Sequence, residues 1–273
     1  MRVPDARLLG VAGFPVGHSR SPVMHAAALR ELGLPWRYLK LPLPPELFAE
    51  TVRALPAAGY VGVNVTVPHK EAALEVADSP TPTAGAIGAA NTLTFTEHGI
   101  EADNTDAPGL IAALGEPVAG RRALVLGAGG AGRAAAWALR EAGAEVSVWN
   151  RTPGRGRDLA AELRIGYARR AAGASDVVVN ATSVGLVPDV REQQALEALG
   201  LREGEPPATF VDLVYSERET ALTAWARQGG SAVVDGLEVL VRQGALSLER
   251  WTGRRPPLAA MRAAAVHGGL DIR

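Results

Sequence analysis

The sequence predicts an α/β fold with two sheets, and three observations carry that prediction. Residues Arg122 to Arg151 run as strand, glycine turn, helix and strand, one βαβ unit. Two apolar runs farther on, Asp176 to Val179 and Thr209 to Val214, pass into the polar segment Asn180-Ala181-Thr182-Ser183 and into Tyr215. Strands of a parallel sheet end this way where a ligand crevice forms at their carboxyl edge. The first 106 residues alternate strands and helices once more, which requires a second sheet.

In chain order, a strand Leu8 to Phe14 leads through a loop to a helix that starts at Ser21-Pro22 and stops at Gly33. A strand near Trp36 to Leu41, a helix from Pro45 to Leu55 and the strand Tyr60 to Val67 follow. Asn91 to Thr96 and Ile100 to Asn104 flank Glu97-His98-Gly99 and form a hairpin, which makes the first sheet mixed. Ala107 to Leu114 leads out of this half as a helix. After Gly236 a second helix is marked by Leu237, Val239, Leu240 and Leu246 on helical spacing. If it packs back on the first half, the expected domains are 1–106 plus 237–273 and, across a cleft, 107–236.

Composition narrows the class. At 273 residues, 47% hydrophobic and 21% charged, the chain is an ordinary two-domain globular protein. A net charge of -1 with no basic run leaves no footprint for nucleic acid, so small molecules are the expected partners. Zero cysteines exclude disulfides and thiol chemistry and fit a reducing compartment. The apolar stretch Leu8 to Val16 is too short to span a membrane and lacks the flanks of a secretory signal, so a cytoplasmic location without a membrane partner is expected. The five histidines show no ligand spacing, so no metal is expected, while a homodimer stays open.

Between the first strand and helix of the βαβ unit, Gly127-Ala128-Gly129-Gly130-Ala131-Gly132 satisfies Gly-x-Gly-x-x-Gly, the pattern of a Rossmann-type dinucleotide-binding domain. The first glycine allows the tight turn, the second lets backbone approach a pyrophosphate, and the third lets helix and strand pack closely. Where an NAD enzyme usually carries a carboxylate, this chain has Asn150-Arg151-Thr152 and then Arg155. A carboxylate would repel a 2′-phosphate, whereas Arg151 and Arg155 can clamp one, so NADP is the expected cofactor. The alternative is a pair of solvated arginines at a strand end.

Among 28 basic side chains only Lys40 and Lys70 are lysine. Lys70 closes Asn64-Val65-Thr66-Val67-Pro68-His69-Lys70, at the carboxyl end of a strand. Arginine stays charged under ordinary conditions, so a lysine retained here points to proton transfer; a surface lysine kept by chance is the alternative. Alternation along Tyr60 to Pro68 puts Val61, Val63, Val65 and Val67 on one face and aims Asn64 and Thr66 together from the other. The alternative for Asn64 is a satisfied loop-side amide. The hairpin folds Asn91 back against Asn104 to Asp106, and Asp106 also stands where a helix N-cap would. In His18-Ser19-Arg20-Ser21 an extended backbone would turn Ser19 and Ser21 the same way, able to hold a carboxylate, though Ser21 is also an N-cap candidate.

These segments, with Gly17-His18-Ser19-Arg20-Ser21-Pro22, Ala90-Asn91-Thr92, Asn104-Thr105-Asp106, Asn180 to Gly185, and Asp235-Gly236 with Gln243, resemble the shikimate dehydrogenase family in the family's own order. The resemblance implies NADPH-dependent, reversible reduction of 3-dehydroshikimate to shikimate on the way to aromatic amino acids. It implies that Ser19 and Ser21 hold the substrate carboxylate and that Thr66, Asn91, Asp106 and Gln243 hold ring hydroxyls, with Asn64 and Tyr215 nearby. Lys70 is then the general acid in reduction, paired with Asp106. The resemblance also implies that Gly127, Ala128, Gly129, Gly130, Ala131, Asn150, Arg151, Thr152, Arg155 and Thr182 would bind NADP, and that Leu213 and Gly236 would border the nicotinamide. Two departures stand out. Tyr215-Ser216-Glu217 replaces the family's Tyr-x-Pro, and Thr81-Pro82-Thr83 stands where a cofactor-contacting carboxylate often lies. The rival readings are a quinate/shikimate dehydrogenase using NAD and a non-catalytic regulator that binds a pathway metabolite.

Overall fold

The structure, a computed structural model, describes residues 6–171, 173–186, 191–202, 204–216 and 219–267. The chain divides into two compact units, Met1–Gly109 with Leu240–Arg273, and Leu110–Val239.

The first unit contains β1 (Leu8–Gly13), α1 (Ser21–Glu31), β2 (Arg37–Pro42), α2 (Phe48–Ala54), β3 (Tyr60–Val65), α3 (Lys70–Glu75), β4 (Ser79–Pro80), α4 (Pro82–Ile87), β5 (Thr92–Thr96), β6 (Gly99–Asp103) and the start of α5 (Asp106–Leu114). Its six strands run in the order β2-β1-β3-β5-β6-β4. β1 pairs parallel with β2 and β3, while β3, β5 and β6 pair antiparallel in turn, so the sheet is mixed. Phe48, Val52, Val63, Val65 and Leu93 fill its core.

Two local expectations fail here. Pro45 to Leu55 is not one helix: a 3-10 turn, Pro45–Leu47, precedes α2. The alternation along β3 stops at Val65, and Val67 is 58% exposed rather than on the apolar face. Beyond Val65 the chain stays bonded to the end of β1, with the Thr66 N–H on the Ala12 carbonyl and the Phe14 N–H on the Val67 carbonyl, and then turns as the His69 N–H reaches back to the Thr66 carbonyl. That turn delivers Lys70 as the first residue of α3.

The second unit carries β7 (Arg122–Leu126), α6 (Gly130–Glu141), β8 (Glu145–Trp149), α7 (Pro153–Leu163), β9 (Gly166–Tyr167), β10 (Val177–Asn180), α8 (Glu192–Leu199), β11 (Thr209–Asp212), α9 (Ala221–Gln228) and β12 (Ala232–Val234). The strand order is β12-β11-β10-β7-β8-β9, all parallel. From β7 the chain winds outward through β8 and β9, then returns to β10 and winds the other way, the doubly wound order whose reversal opens a crevice between β7 and β10. Both faces are covered: Val125, Val177, Val179 and Val211 belong to one core, Leu124, Val178 and Phe210 to the other. Burial on both faces explains why these strands are continuous apolar runs instead of alternating ones.

α10 (Gly236–Thr252) and α11 (Leu258–His267) complete the chain. In the first unit α10 buries Val241, Ser247, Leu248 and Trp251, while Leu246, expected on its apolar face, is 36% exposed. Trp251 Nε1 donates to the Leu93 carbonyl at 3.1 Å and Arg250 bonds Asp103 and Glu101, which ties α10 to the hairpin. Among the described residues no helix is long and apolar enough to cross a membrane.

Candidate active site

In the first unit the hairpin and two helices converge. The pairing of Thr92 with Asp103 brings Asn91, just before β5, beside Asn104 and Thr105, just after β6. Asp106 opens α5, and its carboxylate takes Lys70 Nζ on Oδ2 at 2.6 Å and Asn91 Nδ2 on Oδ1 at 2.9 Å. The Lys70 and Asp106 side chains are only 13% and 19% exposed, so Lys70 is not a solvated surface lysine. Nor does the carboxylate cap its helix, because Asn104 Oδ1 accepts the Ala107 N–H at 3.2 Å and leaves Asp106 to Lys70. His69 holds the start of α3 through a ring nitrogen 2.7 Å from the Leu43 carbonyl and a stack on Phe48.

Gln243 comes from α10, and its Oε1 accepts from Asn91 Nδ2 at 3.0 Å. α5 and α10 approach so closely there that a Cβ on Gly109 would lie 2.8 Å from the Gln243 Cβ. Asn64 is committed inside the protein: Oδ1 accepts from the Tyr38 hydroxyl at 2.8 Å, and Nδ2 faces the Asn91 carbonyl, Thr92 and Ser247. Its amide is therefore satisfied, from within β3 and not from a loop. Thr66 lies beyond the end of β3 and is half-buried.

The loop before α1 is not extended. Arg20 adopts helical angles and is the N-cap residue, so Ser21 is the first helical residue and no cap. Both Ser19 and Ser21 are buried, and the Ser21 N–H reaches Ser19 Oγ at 3.3 Å. Arg20 is pinned to the end of α11 by its bond to the Ala265 carbonyl at 2.7 Å. The other lysine, Lys40, donates to the Gly17 carbonyl and steadies the same loop. His18 is held below its ordinary pKa, first by burial and then by the Lys40 charge.

The glycine turn of the second unit fits a dinucleotide. Gly127 has φ +107°, and a Cβ on Gly132 would fall 2.0 Å from the Gly127 carbonyl oxygen, so both positions require glycine. Around Gly129 a Cβ would meet nothing within 4 Å, leaving backbone open to a ligand. α6 starts at Gly130, so Gly130, Ala131 and Gly132 form its first turn, whose N–H groups lack intrahelical partners and favour an anion. Asn150 braces the turn, with Oδ1 accepting the Ala128 N–H at 3.0 Å and Nδ2 donating to the Thr152 carbonyl. Thr152 is the N-cap of α7, and Arg151 and Arg155 stand exposed beside it; Arg151 has no carboxylate partner among the described residues.

At the crevice, Thr182 donates both its N–H and its hydroxyl to Asn180 Oδ1, and the Leu213 N–H bonds the Asn180 carbonyl at 3.0 Å. Gly236 packs so that a Cβ would lie 2.8 Å from the Leu213 carbonyl. Tyr215 is half-buried in this unit, and Glu217 lies outside the described residues. Asp212, which the sequence did not single out, is fully buried and accepts from Thr220, Asn180 and Val214 at 2.7, 2.8 and 3.1 Å. Burial pushes its carboxyl up to about 6. Tyr38, Thr92, Thr105 and Ser247 were also missed; the one available signal was that Ser247 stands a helical turn beyond Gln243. Thr81 serves as the N-cap of α4 and bonds Asp103. Among the described residues no group of three His, Cys, Asp or Glu could hold a metal ion.

A doubly wound dinucleotide unit and a mixed-sheet unit bearing a lysine–aspartate pair are the make-up of a nucleotide-dependent oxidoreductase. Family profiles agree in three stretches: the shikimate dehydrogenase substrate binding domain over residues 11–93, shikimate / quinate 5-dehydrogenase over 110–215, and the shikimate 5'-dehydrogenase C-terminal domain over 236–266. The shikimate dehydrogenase (NADP(+)) of Acidiphilium cryptum is 44% identical over 92% of this chain and 92% of its own, and that of Methanothermobacter thermautotrophicus 40% identical over 92% and 93%. The chain belongs to the shikimate dehydrogenase family. Among solved structures, the shikimate 5-dehydrogenase of Thermus thermophilus in complex with NADP(H) and shikimate superposes with a TM-score of 0.83 at 42% identity, covering 95% of this chain and 98% of that one. A 5-ketofructose reductase of Gluconobacter also superposes, with a TM-score of 0.79 at 28% identity over 96% and 98%.

Proposed function

We propose that this chain catalyses the reversible NADPH-dependent reduction of 3-dehydroshikimate to shikimate in the cytoplasm. The observation that carries it is the half-buried Lys70–Asp106 pair joined through Asn91 to Gln243. The chain's relatives named shikimate dehydrogenase (NADP(+)) and the solved complex with NADP(H) and shikimate supply the substrate and cofactor. Residues 1–106 with 237–273 form the substrate domain and 107–236 the NADP domain.

Bound NADPH supplies the hydride. Negative charge then grows on the substrate's carbonyl oxygen, and the Lys70 ammonium stabilises it and donates the proton; in the reverse direction the amine takes the proton back. Asp106 orients the ammonium and accepts from a ring hydroxyl. Ser19 and Ser21 hold the carboxylate. Gln243 uses one Nε2 hydrogen on the Leu240 carbonyl at 2.9 Å and has a second for a ring oxygen. Thr66, Asn91 and Tyr215 bound the ring, and Asn64 acts through the groups it holds. In the NADP domain the turn from Gly127 to Ala131 takes the pyrophosphate. Asn150 and Thr152 shape the turn that offers Arg151 and Arg155 to the 2′-phosphate. Thr182, Leu213 and Gly236 line the nicotinamide end.

The test follows nicotinamide absorbance with shikimate, quinate and a 5-keto sugar, each with the NADP and NAD couples. Turnover confined largely to shikimate with NADP is expected. Comparable rates with quinate or NAD move the chain to the broader-specificity branch, and silence with every pair leaves a metabolite-binding regulator.

A further inference from the structure

Ser247 sits on α10, fully buried. Its hydroxyl lies within hydrogen-bonding distance of Asn64 Nδ2 (2.8 Å), Thr92 Oγ1 (2.9 Å), Thr105 Oγ1 (3.1 Å) and the Gln243 carbonyl (3.1 Å). One proton and two lone pairs are saturated by such a set.

The direction of the bonds in this network is set from one end. A carboxylate only accepts, so Asn91 turns its NH₂ toward Asp106 Oδ1 at 2.9 Å. The Thr105 N–H, 2.7 Å from Asn91 Oδ1, demands the same orientation. Because that NH₂ also reaches Gln243 Oε1 at 3.0 Å, Gln243 turns its oxygen into the network and keeps its NH₂ for the Leu240 carbonyl and one further acceptor. Thr92 and Thr105 both offer hydroxyls to Asn91 Oδ1 at 3.1 Å and meet each other at 3.1 Å. A second branch runs from the Tyr38 hydroxyl through Asn64, and Ser247 joins the two.

We propose that Ser247 is a positioning residue for substrate recognition. With Thr92 and Thr105 it locks Asn91 and Gln243 in the orientation that offers the substrate one N–H donor at Gln243 beside the acceptor at Asp106 and the donor at Lys70. This rests on the reading of the first unit as the shikimate-binding domain. The ligand class it selects is a ring carrying adjacent hydroxyls that both donate and accept.

The test compares wild type with Ser247→Ala, Thr105→Val and Thr105→Ser by steady-state kinetics and by calorimetric titration with shikimate. Ser247→Ala and Thr105→Val are expected to raise the KM and Kd for shikimate about tenfold, the size of one lost oriented hydrogen bond, with the KM for NADP within about twofold. Thr105→Ser, which keeps the hydroxyl, is expected to recover most of the affinity. If Ser247→Ala does not fold, the two Thr105 variants carry the same expectation. Variants that bind shikimate as tightly as wild type, or that lose NADP equally, overturn the positioning role alone. A wild type that neither binds nor turns over shikimate overturns the functional reading and this role with it.

Discussion

Replacing Asp212 by asparagine isolates the cost of a buried carboxyl at the ends of β10 and β11. Its pKa rises from 3.8 to about 6, chiefly through burial, with the nearby Asp235 charge adding to the rise and the bonds from Thr220, Asn180 and Val214 opposing it. Between those two pH values the folded state holds a proton that the unfolded chain has released, so stability falls as pH increases through the window. The full effect is about 3 kcal/mol, with a slope of at most about 1.4 kcal/mol per pH unit. Asp212→Asn keeps an oxygen for Asn180 and Val214, can donate to Thr220, and has no proton to lose. The stability of the variant relative to wild type should therefore increase by about 2 kcal/mol from pH 4 to pH 7, since part of the full effect lies below pH 4. Parallel urea titrations at pH 4, 5, 6 and 7 measure this, and every other titrating group common to both proteins cancels in the difference. A difference that does not change with pH refutes the raised pKa and means that the three hydrogen bonds keep the buried group charged throughout.

Other groups offer independent tests. His25 is fully buried, stacked on Tyr38 at 4.2 Å with both ring nitrogens unpartnered, and burial lowers its pKa to about 3. Its neutral form costs nothing extra above the unfolded value of 6.5, and stability is lost as pH falls from there toward 3. His25→Phe should thus move the acid-unfolding midpoint, followed by circular dichroism, to lower pH, and an unmoved midpoint contradicts the assignment. Lys70→Ala should lower turnover by about 10² to 10⁴ with a smaller effect on NADPH binding; unchanged turnover removes Lys70 from the chemistry. Arg151→Ala should weaken NADPH far more than NADH in fluorescence titrations, while equal losses dismiss the 2′-phosphate contact.

Much of the site is legible in the sequence because it depends on short-range rules. Gly-x-Gly-x-x-Gly between strand and helix announces its turn, since only glycine tolerates a φ of +107° at Gly127 and a carbonyl 2.0 Å from the would-be Cβ of Gly132. A hairpin register is local too, and it juxtaposes Asn91 with Asp106. Errors arose where a neighbour distant in sequence decides the outcome. Val67 is exposed where the chain, still bonded to Phe14 at the end of β1, turns from β3 toward α3, and Ser21 is not a cap because Arg20, reaching the end of α11, takes helical angles itself.

The sequence by itself determined the two sheets, the glycine turn, the arginines after β8 and the lysine that follows β3, since periodicity and turn chemistry act over a few residues. Only the tertiary structure decided what each polar group does. Whether Asn64 faces a ligand or the interior, which orientation Gln243 adopts, that Ser247 joins them and that Asp212 is buried all depend on contacts between segments far apart in the chain. The physical reason is that a buried donor or acceptor must find a partner wherever packing supplies one, and packing brings together residues that no local pattern relates.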